Sequence, residues 1–302
     1  MELKITAAEA GQKILKYLLR KTDGTKIFLF KCFRKKKVKV NGKNCKPDYI
    51  IEENDTIWCP VLQEKDARDL FRNVDARITM LKLTSDLAAV DKAAGVLVHA
   101  AGGKDYSDTL VERTKAYLAA KGENRDFLVP VHRLDQNTSG VVLFARNYET
   151  AKAVNEWIRL GQIGKTYTAL LEGVIDQDVF LSAEITRDKE YNQSRADKLI
   201  VNKKIPDKAE WLKKYYEDSS SISATVIHPL KNDGRFTLCK IELWTGRHHQ
   251  IRAVCLAFGH PLAGDKKYGA RSLAQRGQEL ICSRMEIPAL SFEAESRFRI
   301  EF

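Results

Sequence analysis

The chain of 302 residues, 44% hydrophobic and 30% charged with 17 Gly and 7 Pro, has the make-up of a folded protein with room for a large and a small core. That excludes disordered, collagen-like and disulfide-stapled mini-protein classes. Its 51 Lys+Arg against 40 Asp+Glu, a net charge of +11, favour a polyanionic partner. With no apolar run long enough for a spanning helix and no signal-like apolar start, nucleic acid ranks ahead of a membrane.

Residues 1–62 hold 14 basic and 7 acidic side chains, so +7 of the net +11 sits in the first fifth of the chain. Ile14, Leu15, Leu18 and Leu19 share one helical stripe. A second helix is predicted from Thr25, carrying Ile27, Phe28, Phe30 and Phe33 into the basic run Arg34 to Lys37. Val38 and Val40 alternate with lysines ahead of the tight-turn dipeptide Asn41-Gly42, and Ile50, Ile51 and Thr56 to Val61 read as returning strands. Two short helices, a basic corner and a hairpin resemble the alpha-L RNA-binding module first named in a small-subunit ribosomal protein. Lys16 to Leu19, Arg34 to Lys43, Lys46-Pro47 and Glu53 to Asp55 carry the likeness. It implies phosphate contacts from Lys35, Lys36, Lys37, Lys39 and Lys43.

Residues 63–80 are polar, without Gly or Pro, and read as a tether. From Leu81 onward, short apolar runs separated by turns predict strands at Leu87 to Val90, Gly95 to Val98, Val141 to Ala145, Tyr167 to Leu171, Phe236 to Leu243 and Glu279 to Cys282. Helical stretches fall at Asp108 to Ala120 and Tyr148 to Leu160. The expected organisation is an α+β body over 81–302 with a mixed, largely antiparallel sheet, preceded by the small α/β module at 1–62. Glu190 to Ser221, with a basic helix-like stretch from Lys208 to Tyr216, is longer than a minimal connection and reads either as an RNA-contacting insertion or as a solvated loop.

Two motifs carry chemistry. His132 to Gly140 is a polar loop that runs straight into the buried-strand pattern Val141 to Ala145, which places charged groups at a strand mouth and makes Asp135 the leading reactive residue. Thr245 to Arg252, closed by Gly259 to Gly269, packs Arg247, Arg252, His248 and His249 into a short span. Read alone, that span suits a phosphate-binding corner, a metal site or a solvated basic loop. Adjacent histidines on regular structure point apart, which is poor ligand spacing, so no metal is expected. A kinase loop fails because a Leu separates Arg133 from Asp135 and no Gly-rich phosphate loop follows. G-x-S-x-G and P-loop motifs are missing from the sequence.

In order, HRLDQNTSGVVLFA at 132–145, KTYTALLEG at 165–173, TGRHHQIR at 245–252 and GHPLAGDKKYG at 259–269 resemble the motifs of the RluA-type pseudouridine synthases. Val90 to Val96 resembles that family's early Lys-Pro-x-Gly segment. The resemblance implies isomerisation of uridine in RNA: the N1–C1′ bond breaks, the base turns, and C5 bonds to C1′, with no cofactor consumed. It implies Asp135 as the essential carboxylate, acting at C1′, at C6 or on a sugar proton. It further implies Arg252 as the arginine pairing with that carboxylate and Tyr167 as the aromatic residue packing on the base, its hydroxyl placed to assist the proton loss from C5. Arg133 would enter the space vacated when the base flips out, with Arg247 as a further RNA contact. His132 and Thr138 are expected to shape the loop, and Asp265 and Tyr268 to be structural.

This sequence departs from the family pattern at Ala93, where proline is usual, and at His248, where Thr or Ser is common. The six cysteines are scattered singly, with no C-x-x-C pair, and read as reduced thiols of a cytoplasmic protein. The expected partner is RNA, ribosomal ahead of transfer RNA, with no membrane, no required protein partner and a monomeric state. The competing readings are a non-catalytic RNA-binding or ribosome-assembly factor on the same fold, and a carbohydrate hydrolase. The hydrolase would want a second carboxylate near Asp135.

Overall fold

A computed structural model of the chain describes residues 2–7, 9–22, 26–60, 77–99, 108–125, 127–188, 190–215, 221–273 and 277–302, the side chains of residues 20, 26 and 27 excepted. The chain divides into two compact units, Met1–Arg72 and Asn73–Phe302.

In the first unit, helices α1 (Ile14–Lys21) and α2 (Lys26–Arg34) accompany strands β1 (Glu2–Lys4), β2 (Lys39–Val40), β3 (Lys43–Asn44) and β4 (Thr56–Trp58) in an antiparallel sheet of order β1-β4-β2-β3. Ile14 and Leu18 are buried as the α1 stripe requires, whereas Leu19 is exposed. On α2 the buried set is Leu29, Cys32 and Phe33, an i, i+3, i+4 stripe that leaves Phe30 facing water, contrary to expectation. Asn41 and Gly42 take φ values of 50° and 77°, the paired left-handed residues of a type I′ hairpin turn. The Asn41 side chain donates to Asp55 Oδ1 at 2.7 Å and accepts from the Thr56 amide at 2.9 Å, tying the turn to β4. Asp55 also accepts from the Glu52 amide and the Tyr49 hydroxyl, so this buried acid serves the fold of the basic unit. Ile50 makes an isolated bridge to Lys13 rather than a strand. Thr25, Val61 and residues 63–76 of the expected tether lie outside the described residues.

The second unit runs β5 (Thr79–Leu83), β6 (Leu87–Lys92), α3 (Leu110–Ala120), β7 (Val129–Pro130), β8 (Ser139–Ala145), α4 (Tyr148–Arg159), β9 (Gly164–Glu172), β10 (Val179–Asp188), β11 (Gln193–Asn202), α5 (Lys208–Tyr215), β12 (Ile222–Asn232), β13 (Phe236–Leu243), α6 (Gln250–Ala257), β14 (Leu280–Ile287) and β15 (Phe292–Glu295). Its sheet has the order β11-β10-β12-β13-β9-β14-β8-β6-β5, with β15 on β14 and β7 on β8. The fold is α+β and the sheet mixed: β8 and β14 pair in parallel, and the other pairings among the described strands are antiparallel. The apolar runs of β6 and β8 are buried on both faces, while β9 alternates and buries Lys165, Tyr167, Ala169 and Leu171 on one face. Thr109 and Asn147 cap α3 and α4 by accepting from amides of their first turns. Among the described residues no helix is long and apolar enough to cross a membrane.

Three expectations are corrected here. Gly95 to Val98 is a turn rather than a strand: Gly95 has φ 87°, the Val96 carbonyl goes to Lys92 Nζ, and those of Leu97 and Val98 accept from the first amides of α3. Thr79 and Met80, assigned to the tether, begin β5. The segment 190–221 holds an edge strand, β11, and helix α5, whose Trp211 ring packs 5.9 Å from Phe180 and 6.1 Å from Trp244.

At the parallel pair, Gly140 has φ 113° and a Cβ built on it would stand 2.2 Å from the Cys282 carbonyl oxygen. Backbone cannot yield there as a side-chain tip would. Gly140→Ala is therefore expected to destabilise the protein by on the order of 2–3 kcal/mol from backbone strain alone, read as a lowered melting temperature. Unaltered melting would show that β8 and β14 separate without cost.

Candidate active site

Asp135 lies in the turn between β7 and β8, and the residues around it are pinned by hydrogen bonds. The next residue, Gln136, has its carbonyl held by Lys92 Nζ at 2.8 Å and by the Gly95 amide at 2.9 Å. Lys92 is fully buried, and its Nζ also reaches the carbonyls of Ala93 and Val96, so three acceptors match the three donors of an ammonium. Burial draws its pKa down to about 7, with the Asp135 charge pulling the other way. Two residues beyond Gln136, Thr138 is buried and its hydroxyl accepts from Gln278 at 2.7 Å. His132 Nε2 accepts from the Leu143 amide at 3.1 Å, and burial followed by Lys165 pushes its pKa down to about 3. His132 is thus a neutral, occupied loop residue, as expected.

Helix α6 brings Arg252 to the same place. Its Nη1 donates to Asp135 Oδ2 at 3.3 Å, but its main partner is Asp265, which takes Nε at 2.6 Å and Nη2 at 2.7 Å. The guanidinium carbon stands 4.5 Å from the centre of the Tyr268 ring. Asp265 is therefore more than a structural acid, since it holds the arginine that faces Asp135. The two carboxylates around one guanidinium give the group a net charge of −1.

Tyr167 and Lys165, two residues apart on β9, point the same way. Burial and then Cys282, to which the Tyr167 hydroxyl is hydrogen-bonded, hold the phenol well above its ordinary pKa, so it stays protonated. Lys165 is pulled down to about 8 by burial and then by Lys208, and it makes no ion pair with an acid among the described residues.

His248 and His249 overturn the expectation that neighbouring rings diverge: they stack 3.8 Å apart with planes 22° off parallel. The regular-structure rule fails because His249 sits at φ 50°, the left-handed residue from which α6 starts.

Asp135, Tyr167, Arg252, Arg133 and Arg247 all line one cavity of about 990 Å³, together with Lys165, Lys266 and Lys267. Arg133 is exposed, with Nη1 3.4 Å from His99 Nε2. The backbone amide of Arg247 donates to Gln250 Oε1 at 3.0 Å and its Nε to the Ile222 carbonyl at 3.3 Å. Lys35, Lys36, Lys37, Lys39 and Lys43 belong to the other unit, exposed at the end of α2 and on the β2–β3 hairpin. A carboxylate held by an arginine in a cavity rimmed by cations suits a reaction on a polyanion. Sequence reasoning passed over Lys92 and Lys165, although both lie inside quoted motifs. The signal for each was its place on a strand: Lys92 ends the buried run of β6, and Lys165 falls on the same alternating face of β9 as Tyr167, Ala169 and Leu171.

Comparison with known proteins is consistent with this geometry. A family described as RNA pseudouridylate synthase matches residues 86–257. Proteins named ribosomal large subunit pseudouridine synthase C are 30% identical in Yersinia pestis (97% of this chain, 87% of the relative) and in Haemophilus influenzae (97% and 86%). The protein of that name from Escherichia coli K12 is also 30% identical, over 95% of this chain and 87% of its own length. Among solved structures, human RNA pseudouridylate synthase domain containing 1 superposes with a TM-score of 0.56 at 22% identity over 74% of this chain and 84% of that one. Human RNA pseudouridylate synthase domain containing 4 gives 0.56 at 21% over 77% and 91%.

Proposed function

We propose, from the premise that this chain belongs to the RNA pseudouridylate synthase family, that its substrate is large-subunit ribosomal RNA and that Asp135 is the residue on which its isomerisation of uridine to pseudouridine turns. The carrying observation is the carboxylate of Asp135 at the wall of the cationic cavity. Its contacts, to Arg252 and His249, go to Oδ2, and among the described residues none is made to Oδ1.

In this reading the Arg252 guanidinium holds Asp135 in place at the cavity wall, while the bidentate hold of Asp265 keeps that guanidinium from closing fully on the carboxylate. Asp135 acts on the sugar or the base so that the N1–C1′ bond can break. Tyr167, protonated, offers an aromatic face to the target base rather than a phenolate to take its proton. Such a base must leave its stack, and Arg133, exposed at the cavity, is suited to fill the gap by stacking its guanidinium plane on neighbouring bases. Arg247 and Lys165 supply positive charge for the phosphates or carbonyls of the flipped nucleotide. A cytoplasmic monomer goes with this reading; the six free thiols support the location.

The test is a pseudouridine map of ribosomal and transfer RNA, by carbodiimide labelling and primer extension, from cells with and without the gene, complemented by wild type or Asp135→Asn. Ribosomal sites lost on deletion and restored by wild type alone are expected. Lost sites in transfer RNA would overturn the substrate, and no pseudouridine from purified protein on unmodified ribosomal RNA would overturn the reading.

The basic unit enters as the phosphate-gripping part. Replacing Lys35, Lys36, Lys37, Lys39 and Lys43 together by alanine in the full chain is expected to weaken RNA binding and to reduce the slope of log K against log salt by up to about 4, at about 0.7–0.9 for each phosphate no longer neutralised. An unchanged slope in filter binding across a salt series would remove these lysines from the interface.

A further inference from the structure

Arg252 accounts for one of the two groups that approach Asp135 from the start of α6; the other, His249, has no part in the mechanism so far. Its Nε2 stands 3.7 Å from Asp135 Oδ2 and 3.4 Å from Arg252 Nη1, and its side chain is only 8% exposed. Its Nδ1 is 2.8 Å from the Tyr268 hydroxyl. That hydroxyl oxygen in turn accepts the backbone amide of Ser194 at 2.7 Å. Ser194 Oγ also meets His248 Nδ1 at 2.9 Å, so one residue at the start of β11 braces both rings of the stacked pair.

Counting protons along this line favours one arrangement of two. The Tyr268 oxygen already accepts from Ser194, and among the described residues the phenolic proton has a single acceptor within reach, His249 Nδ1. A neutral imidazole that accepts at Nδ1 carries its proton on Nε2, the nitrogen beside Asp135. The opposite tautomer would let Nε2 accept from Arg252 Nη1 at 3.4 Å, but it would strand the buried phenolic proton and turn an Nε2 lone pair toward a carboxylate. Burial, then the Arg252 charge, push the His249 pKa down to about 3, so the ring remains neutral across the working range.

We propose that His249 is a positioning residue, held as the Nε2–H tautomer by the Ser194–Tyr268 line, and that it directs this proton at Asp135 Oδ2 beside Arg252 Nη1. Arg252 Nη1 at 3.3 Å and the His249 proton at the longer range of 3.7 Å then orient one carboxylate oxygen and leave the other to the substrate. Because the second donor is uncharged, Asp135 is held without a second full positive charge to blunt its reactivity. The proposal rests on the functional reading above, in which Asp135 is the reacting group.

The test measures the tautomer directly. Protein labelled with 15N at histidine, with His249 assigned by comparison with His249→Gln and His248→Gln, is followed by long-range 1H–15N correlation from pH 5 to pH 8. A protonated Nε2 and a bare Nδ1 that do not titrate are expected. An Nδ1–H tautomer, or a midpoint inside that range, would overturn the proposal with no activity assay involved. Tyr268→Phe, with its fold checked by the other histidine signals, should release the Nδ1–H form and lower kcat about tenfold at unchanged KM, the worth of one hydrogen bond to a charged group. If that variant keeps both the wild-type tautomer and the wild-type kcat, the line does not hold His249. Wild-type protein that forms no pseudouridine would instead overturn the functional reading, while the tautomer result stands by itself.

Discussion

Asp135→Asn is expected to slow pseudouridine formation by about 10³-fold or more, a loss of at least about 4 kcal/mol of transition-state stabilisation, while RNA affinity stays within a few-fold of wild type. The asparagine keeps the size of the side chain and an oxygen for Arg252 and His249, but it can neither attack carbon nor take a proton. Asp135 contributes little to the fold. Its side chain is 28% exposed and its one hydrogen bond with Arg252 is long, at 3.3 Å, so the stability change should stay within about 1 kcal/mol. Affinity should persist because, in the proposed reading, phosphate contacts to the cavity rim and the basic unit carry most of the binding. Single-turnover assays at saturating enzyme separate the chemical step from binding, and filter binding measures the affinity. Wild-type turnover in the variant would remove Asp135 from its role.

Asp265→Ala should act on both stability and rate. The Arg252 and Asp265 side chains are 9% and 2% exposed and share two hydrogen bonds of 2.6 and 2.7 Å. Removing the acid leaves a buried guanidinium without its main partner, a loss of about 3–5 kcal/mol and a fall in melting temperature of about 10 °C. The freed guanidinium would also close on Asp135, holding the reacting carboxylate in an ion pair. Pairing Asp265→Leu with Arg252→Met tests the two effects apart, because an apolar pair of similar volume should recover most of the stability and none of the activity. An Asp265→Ala protein with unchanged melting and unchanged rate would show that the pair serves neither.

Where a motif coincides with its own local geometry, the sequence was a good guide. Phe236 to Leu243 is β13 residue for residue, because strict alternation admits one pairing face. The Asn41-Gly42 turn, the α1 stripe and the loop bearing Asp135 were likewise readable, each determined by residues a few positions apart. The pairing of Arg252 was not. Thirteen residues separate it from Asp265 and 117 from Asp135, and nothing in the chain between them says which acid takes two hydrogen bonds and which takes one. The stack of His248 on His249 escaped for a different reason: it depends on a positive φ at a residue that is not glycine, which side-chain periodicity does not encode. The 190–221 segment was opaque because β11 is an edge strand with one solvated face, so its apolar pattern is thin, yet Ser194 near its start reaches Tyr268 and His248.

The position of β14 in the sheet bears on how the molecule comes together. Asp135 precedes β8 and Tyr167 lies on β9, and these two strands are not paired; β14 stands between them, with Ile281 opposite both Ser139 and Thr168. Until residues 280–287 have been made and have slotted in, the halves of the sheet present two open apolar edges, and the cavity has no floor. Pairings that span so much chain close slowly, which leaves those edges available to other chains in the meantime. Catalytic competence and protection from aggregation should therefore arrive in the same late event.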